Sequence, residues 1–194
     1  MSFLGWPIEQ SPIDERRSCW RKKIATDLLE LFSKTFPDVT YDLLWESPTI
    51  NAQAWLLGSV RYVRVYGGLV RHAAITRSGL ALAIAHETGH HLGGLPRDPD
   101  EAWITWQGQA DYWAAGTAMP LIFGSNARKA TLRGARQLLK LHEDLASLFD
   151  EGDEPDLSPQ CRYAIFVAGA LGSEFPSCAK AEFRRNYQRE YPGN

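Results

Sequence analysis

The segment His86-Glu87-Thr88-Gly89-His90 has the residue types and the spacing to bind a metal ion and to activate water. Residues four apart lie on one face of a helix, so the imidazoles of His86 and His90 can bind the same ion. Glu87 lies beside them, where its carboxylate can take a proton from zinc-bound water. The pattern predicts a zinc-dependent hydrolase in which His86 and His90 are ligands of Zn2+ and Glu87 is the general base.

The motif follows an apolar run from Leu80 to Ala85, which predicts a buried helix. Burying two histidines and a glutamate without partners is costly, and this favours metal binding over polar side chains that the helix merely exposes. Gly89 inside a helix costs about 1 kcal/mol relative to alanine. A close approach by the sheet or by the metal would explain that glycine.

A catalytic zinc site takes a third protein ligand and keeps a fourth position open. Gly93 fits the longer metzincin motif, but Pro96 occupies the position of its third histidine, so this pattern is excluded. A following helix is the alternative source, because Gln107 and Asp111 are four residues apart and share a face. Glu101 is a further acid, which we expect at the start of that helix.

The His-Glu-x-Gly-His-His motif, the Gly-Gly after it and the later Gly-Gln-Ala-Asp-Tyr together resemble the gluzincin zinc metallopeptidases. The resemblance is to soluble bacterial relatives of the family that contains the CAAX-prenyl and heat-shock membrane proteases. It runs from about Tyr66 to Ala115, and weaker similarity follows at 160–162 and 168–171. The resemblance implies a zincin-like fold, with a small sheet packed on the motif helix, and peptide-bond hydrolysis in which Glu87 also shuttles the proton.

Proteases of that family carry Glu-x-x-x-Asp on the second helix, where the glutamate binds zinc and the aspartate supports the first histidine. Gln107 stands at the position of the glutamate, and Asp111 at that of the aspartate. Four alternatives are open: Gln107 binds zinc through its weaker amide oxygen, Asp111 binds zinc directly, Glu101 supplies the ligand, or the site has lost catalytic zinc. Asp111 is the favoured acid near the metal, either as a ligand or as a support of one. The last alternative predicts a second function, an inactive metallopeptidase fold that binds a protein or peptide partner.

The resemblance also implies contacts with the substrate. In these enzymes an edge strand holds the substrate backbone as an added strand, and Val63 to Leu69 is the segment expected to do so here. His72 or Arg71, which follow it, would then contact the substrate or the oxyanion. Tyr112 could donate a hydrogen bond to the oxyanion, although aromatic packing is the favoured interpretation of this residue.

The periodicity of apolar residues predicts the elements that position these side chains. Three β-rich runs predict a small, mainly antiparallel sheet that ends or bulges at Gly67-Gly68. Helices are predicted at 12–36, 81–92, 101 or 104 to 118, 125–149, 159–171 and 178–191, and strands at 39–45, 52–57 and 60–66. We therefore expect one α+β domain over 1–194, with a helix and sheet at 12–72 and a helical part at 78–194.

Composition narrows the classes of function and location. The chain has 194 residues and a net charge of −2, and this lack of basic excess argues against a nucleic-acid partner. It contains no run of 18 apolar residues, so no membrane span is expected. A peptide or protein is the expected partner, and the sequence does not indicate the oligomeric state.

The odd number of cysteines suits a reducing compartment, which predicts a cytoplasmic protein. If a signal segment has been removed and the protein is exported, Cys161 and Cys178 could pair. Free buried thiols are the alternative. A surface or packing role is predicted for His91, and a structural role is predicted for His142.

Overall fold

The computed structural model describes residues 19–98, 101–145 and 157–181. The helices are α1 (Cys19–Thr35), α2 (Gly67–Arg71), α3 (Arg77–Leu92), α4 (Gln107–Trp113), α5 (Met119–Phe123), α6 (Ala127–Leu145) and α7 (Pro159–Leu171). A further helical segment covers 177–181. The predicted helical residues 12–18, 146–149 and 182–191 lie outside the described part.

The three strands are β1 (Val39–Leu44), β2 (Ala52–Leu57) and β3 (Val60–Tyr66), close to their predicted bounds. They form one sheet in the order β1-β3-β2. β2 and β3 pair antiparallel, as expected, but β1 runs parallel to β3. The α+β class is confirmed, whereas the sheet is mixed rather than mainly antiparallel.

The sheet is mixed because the loop after β1 crosses over the end of β3 before β2 begins. Arg71 holds this loop, since its guanidinium donates to the carbonyls of Trp45 at 2.6 Å and Ser47 at 2.9 Å. A Cβ atom at Gly67 or Gly68 would overlap the backbone of the same loop. These glycines end β3, as predicted, and they also allow the crossing that places β3 between its two neighbours.

The helix α3 carries the His-Glu-x-x-His motif and lies at the centre of the molecule. It begins at Arg77, four residues before its predicted start, and every residue from Gly79 to His91 is buried. A helix that is apolar on all sides is stable only when other elements cover it. The sheet covers one side of α3, and α4 and α6 pack against others.

Close backbone packing sets the position of α4 against α3. A Cβ atom at Gly89 would lie 2.9 Å from the carbonyl oxygen of Ala110 in α4. The close approach that Gly89 permits is therefore made by α4 rather than by the sheet. Residues 101–106 precede α4 as a loop, so this helix begins at Gln107 rather than at 101 or 104.

Helical structure continues past residue 118, where the sequence predicts the end of this helix. A π-helical turn, Ala114–Ala118, joins α4 to α5, and Pro120 lies in the first turn of α5. Proline has no N–H to donate, and it is tolerated in the first turn of a helix. The break comes at Gly124, where φ is +53°.

The C-terminal helices complete the core around α3. α7 has its predicted bounds, and its N-cap Ser158 accepts a hydrogen bond from the backbone N–H of Cys161. In the described part of the chain, none of the helices has both the length and the apolar character that crossing a bilayer requires.

The first turn of α3 is capped from α6, and this contact provides a test of the packing. The Oε1 atom of Gln137 accepts hydrogen bonds from the backbone N–H groups of Thr76 at 3.1 Å and Gly79 at 2.9 Å. We expect Gln137→Ala to lower the free energy of unfolding by about 1–2 kcal/mol. Gln137→Glu keeps an oxygen that can accept these hydrogen bonds, so it should lose less unfolding free energy than Gln137→Ala. Urea unfolding would measure both, and equal losses would contradict the capping role.

Candidate metal centre

His86, Glu87 and His90 form a buried cluster on α3. One ligand atom from each side chain lies within 4.8 Å of the others, an arrangement that could hold a metal ion. All three residues are fully buried. The helix spacing predicted from the sequence therefore brings the three side chains together in space.

The loop before α4 orients His90. Its Nδ1 atom lies 2.9 Å from the carbonyl oxygen of Thr105, and this geometry places the ring proton on Nδ1. The backbone N–H of Thr105 in turn donates to the carbonyl of His90 at 2.8 Å. Nε2 of His90 is buried and has no hydrogen-bond partner among the described residues. Its lone pair is free to bind a metal, an arrangement typical of ligating histidines.

A carboxylate orients His86 in the same way. Its Nδ1 atom lies 2.6 Å from Oδ1 of Asp111. Burial lowers the pKa of His86, and the negative charge of Asp111 opposes that shift. A neutral ring that donates from Nδ1 leaves Nε2 as the atom for a metal.

Asp111 is itself held by an arginine from α7. The guanidinium of Arg162 donates from Nε to Oδ2 and from Nη2 to Oδ1, both at 2.8 Å. Burial alone would raise the pKa of Asp111, but Arg162 and His86 outweigh it and bring the pKa below its usual value. Both side chains of this ion pair are almost completely buried. Asp111 therefore lies on the Nδ1 side of His86, where it supports the imidazole ring. Both of its carboxylate oxygens accept hydrogen bonds from Arg162.

Glu87 is the base candidate. Both of its carboxylate oxygens are buried, and neither makes a well-formed hydrogen bond within the described residues. Burial raises the pKa of Glu87 to about 8, although Arg162 and the nearby backbone amide of Ala54 lower it somewhat. A cation in the cluster would lower this pKa further, so metal binding would favour the ionised carboxylate.

Gln107, at the start of α4, also lies at the cluster. Its side chain is close enough to the ring of His86 to raise the pKa of that histidine. Its Oε1 atom is buried and has no hydrogen-bond partner in the described part of the chain. The amide oxygen is therefore available to an ion held by the histidines.

A metal ion would account for these unsatisfied atoms. Buried polar atoms without partners are rare and costly in proteins. Here Glu87, His90 and Gln107 all contribute such atoms to one small region. Two imidazole nitrogens and the amide oxygen of Gln107, with the Glu87 carboxylate beside them, form an arrangement that suits zinc. The residues present fit a metal centre.

The other predicted site residues lie in different surroundings. The hydroxyl of Tyr112 donates to the carbonyl of Ser173 at 2.8 Å, and its ring packs on Phe175. His72 follows α2, where its Nδ1 atom accepts from the backbone N–H of Ala74. Glu101 is exposed in the loop before α4. None of these contacts brings Tyr112, His72 or Glu101 into the cluster.

The neighbouring histidines have the packing environments that the sequence predicts. His91 is buried, its Nε2 atom lies 2.9 Å from the carbonyl oxygen of Tyr62, and its ring stacks on Trp103. His142 is buried in α6, and the charges of Arg162, Asp111 and His86 all act on its pKa. His142 therefore lies near the ion pair behind the cluster.

Sequence reasoning misses two supports of the site. Arg162 is the only charged residue of α7, and a lone charge in an apolar helix is the signal that could have identified it. The carbonyl of Thr105 leaves no such signal, because any residue supplies a backbone oxygen. Both supports orient a histidine of the motif.

The residue before Arg162 is cross-linked. Cys161 forms a disulfide with Cys178, so the structure pairs the two cysteines rather than leaving them as free thiols. The bridge joins the first turn of α7 to the helical segment 177–181. The backbone that carries Arg162 is thereby tied to the following segment of the chain.

Comparison of the chain with protein-family models, with curated proteins and with solved structures finds no match. The resemblance to gluzincins therefore rests on the motif residues alone. The geometry of the His86, Glu87 and His90 cluster is a separate observation that points to a metal site.

Acid should destabilise the metal-free protein through His142. Burial lowers its pKa from 6.5 to about 3, so the unfolded chain binds one proton more between these values. The contribution of neutral, buried His142 to the free energy of unfolding is complete above pH 6.5, and it is lost as the pH falls towards 3. Between pH 7 and 5, wild type should lose about 2 kcal/mol more unfolding free energy than His142→Gln. Denaturant unfolding with a chelator present would measure this, and parallel pH profiles would contradict it.

Proposed function

We propose that the protein is a zinc-dependent, metallopeptidase-like hydrolase with a zincin-like arrangement of sheet and motif helix. The observation that carries the proposal is the convergence of unsatisfied buried atoms from Glu87 and His90 beside His86, on one face of α3. The fixed tautomers of the two histidines support it, because Thr105 and Asp111 both leave an Nε2 atom for the metal. Gln107 would complete the donor set through its amide oxygen.

The proposed reaction divides the work between the metal and Glu87. When bound, the metal supplies a Lewis acid that polarises the peptide carbonyl and activates water. Glu87 accepts the proton of the attacking water while the water oxygen bonds to the carbonyl carbon. Glu87 then gives that proton to the amine as the C–N bond breaks. Burial suits Glu87 to both steps, since it keeps the carboxyl group out of contact with bulk water.

The outer strand β2 is the proposed place for an extended peptide. The resemblance points to an edge strand, but the predicted segment begins in β3, which is the central strand of the sheet. β2 is an edge strand, and the backbone amide of its residue Ala54 acts on the Glu87 carboxyl. A peptide added along β2 would therefore run beside the proposed base.

Binding without cleavage is the second candidate function. Gln107 favours it, because an amide oxygen is a weaker zinc ligand than a carboxylate, and a centre that holds zinc poorly would not catalyse. The peptide would still be able to add to β2. A metal-loaded protein that cleaves nothing in a broad peptide library would favour this alternative.

The disulfide bears on the proposed location. Disulfides persist in oxidising compartments and are rare in the reducing cytoplasm. The Cys161–Cys178 bridge therefore favours export over the cytoplasmic location expected from the odd number of cysteines.

Removing the charge behind His86 should weaken zinc binding. In Asp111→Asn the ring of His86 loses its carboxylate partner and Arg162 loses its counter-ion. We expect the zinc dissociation constant to rise about 10- to 100-fold. Competition with a chromophoric chelator would measure it. Asp144→Asn, which removes an exposed partner of Lys140 on α6, is the matched control and should bind zinc as wild type does. Equal affinities in all three proteins would contradict the role of Asp111.

Removing the base should abolish hydrolysis while the metal stays. We expect Glu87→Gln to lower peptide cleavage by roughly 10²- to 10⁴-fold, because proton transfer is lost. Its zinc content should remain near one ion per chain, whereas His86→Ala should lose zinc. Glu143→Gln, an exposed change on α6, serves as the control for activity. Full activity in Glu87→Gln would exclude the proposed mechanism.

A further inference from the structure

Gln107 leaves the proposed centre without one negative charge. The residue is almost completely buried, and its Oε1 atom has no hydrogen-bond partner among the described residues. It acts on the ring of His86, the same ring that Asp111 holds from its Nδ1 atom. An amide in this place can donate an oxygen lone pair to a cation but brings no charge.

The other charged groups of the site do not replace the negative charge that a glutamate at position 107 would supply. Asp111 is neutralised by Arg162, which binds both of its carboxylate oxygens. His86 and His90 are neutral ligands, so among the described residues of the cluster Glu87 is the negative group left to a divalent ion. A buried centre with one excess positive charge favours binding of an anion.

Arg162 adds to this preference. Its Nη2 atom lies 3.3 Å from Nδ1 and 3.5 Å from Nε2 of His86, besides its bond to Asp111. The charge of this guanidinium is balanced by Asp111, but its Nη2 atom lies beside the proposed ligand His86. A carboxylate that entered the centre would be attracted by the ion and would have this nitrogen nearby as a hydrogen-bond donor.

We infer that the metal-loaded centre binds a carboxylate supplied by its ligand, and that Gln107 creates this preference. The inference rests on the proposed metal site and specifies its ligand class. The carboxylate belongs to a peptide, as its C-terminus or as an aspartate or glutamate side chain. Zinc sites can expand from four to five ligands, so such a group does not require the loss of a protein ligand.

Acetate is the probe that tests the inference, and acetamide is its neutral counterpart. Cobalt-loaded protein would be titrated with each, and the visible absorption of cobalt would report binding. We expect acetate to bind wild type at least about tenfold more tightly than acetamide. Gln107→Glu supplies the missing charge within the protein and should weaken acetate binding by about tenfold or more.

A matched variant separates this effect from a general change in charge. Asn126→Asp adds the same charge by the same amide-to-carboxylate change, at an exposed position just before α6. This variant should bind acetate as wild type does. If Gln107→Glu fails to fold or to bind cobalt, the comparison of acetate with acetamide binding in wild type still tests the inference.

The outcomes separate the inference from the proposed function. A wild-type protein that binds neither cobalt nor zinc would overturn both. Cobalt binding with equal affinity for acetate and acetamide, or equal acetate binding in wild type and Gln107→Glu, would overturn the inference and leave the metal site intact.

Short peptides then identify the source of the carboxylate. One peptide carries an acidic side chain and an amidated C-terminus, a second carries a neutral side chain and a free C-terminus, and a third carries neither carboxylate. Tighter binding of the first or of the second supports the inference and identifies the source. Binding of all three with one affinity would overturn it.

Discussion

The guanidinium of Arg162 binds both oxygens of Asp111 in a region that excludes water, and His86 depends on this ion pair. A buried carboxylate that loses its counter-ion typically costs 3–5 kcal/mol. The pair therefore fixes α7 against α4, while the bond from Asp111 fixes the first motif histidine on α3. One electrostatic contact thus links three helices, and the orientation of His86 follows from the position of α7.

The rest of the site depends on close backbone packing. Gly89 lets the backbone of α4 approach α3, so Gln107 and Asp111 on α4 both reach the ring of His86. The loop before α4 supplies the carbonyl of Thr105 to His90. The spacing of residues on α3 brings His86, Glu87 and His90 together. Residues of α4 and of the loop before it then determine which ring nitrogens of the histidines carry a proton.

The parts of the molecule that local spacing determines could be predicted from the sequence. The motif helix, the bounds of α7 and the three strand segments follow from periodicity and capping. The parallel pairing of β1 could not be predicted, because it depends on a loop that Arg71 holds across the end of β3. Arg162 stands out as a lone charge in an apolar helix, but its partner lies 51 residues away and no local pattern identifies that partner. The Cys161–Cys178 disulfide forms because the fold brings these two residues together, and the spacing of cysteines in the sequence does not show this proximity.

The separation of these contacts along the chain has a consequence for synthesis. His86 and Asp111 leave the ribosome well before Arg162, which lies 76 residues after His86. During that interval a nascent chain holds the complete motif while Asp111 still lacks its counter-ion, so burying the carboxylate is unfavourable. Contacts between distant residues form late because loop closure must precede them. The motif is therefore translated early, but its buried arrangement matures only when α7 docks, and this delay keeps an early, half-formed centre open to solvent.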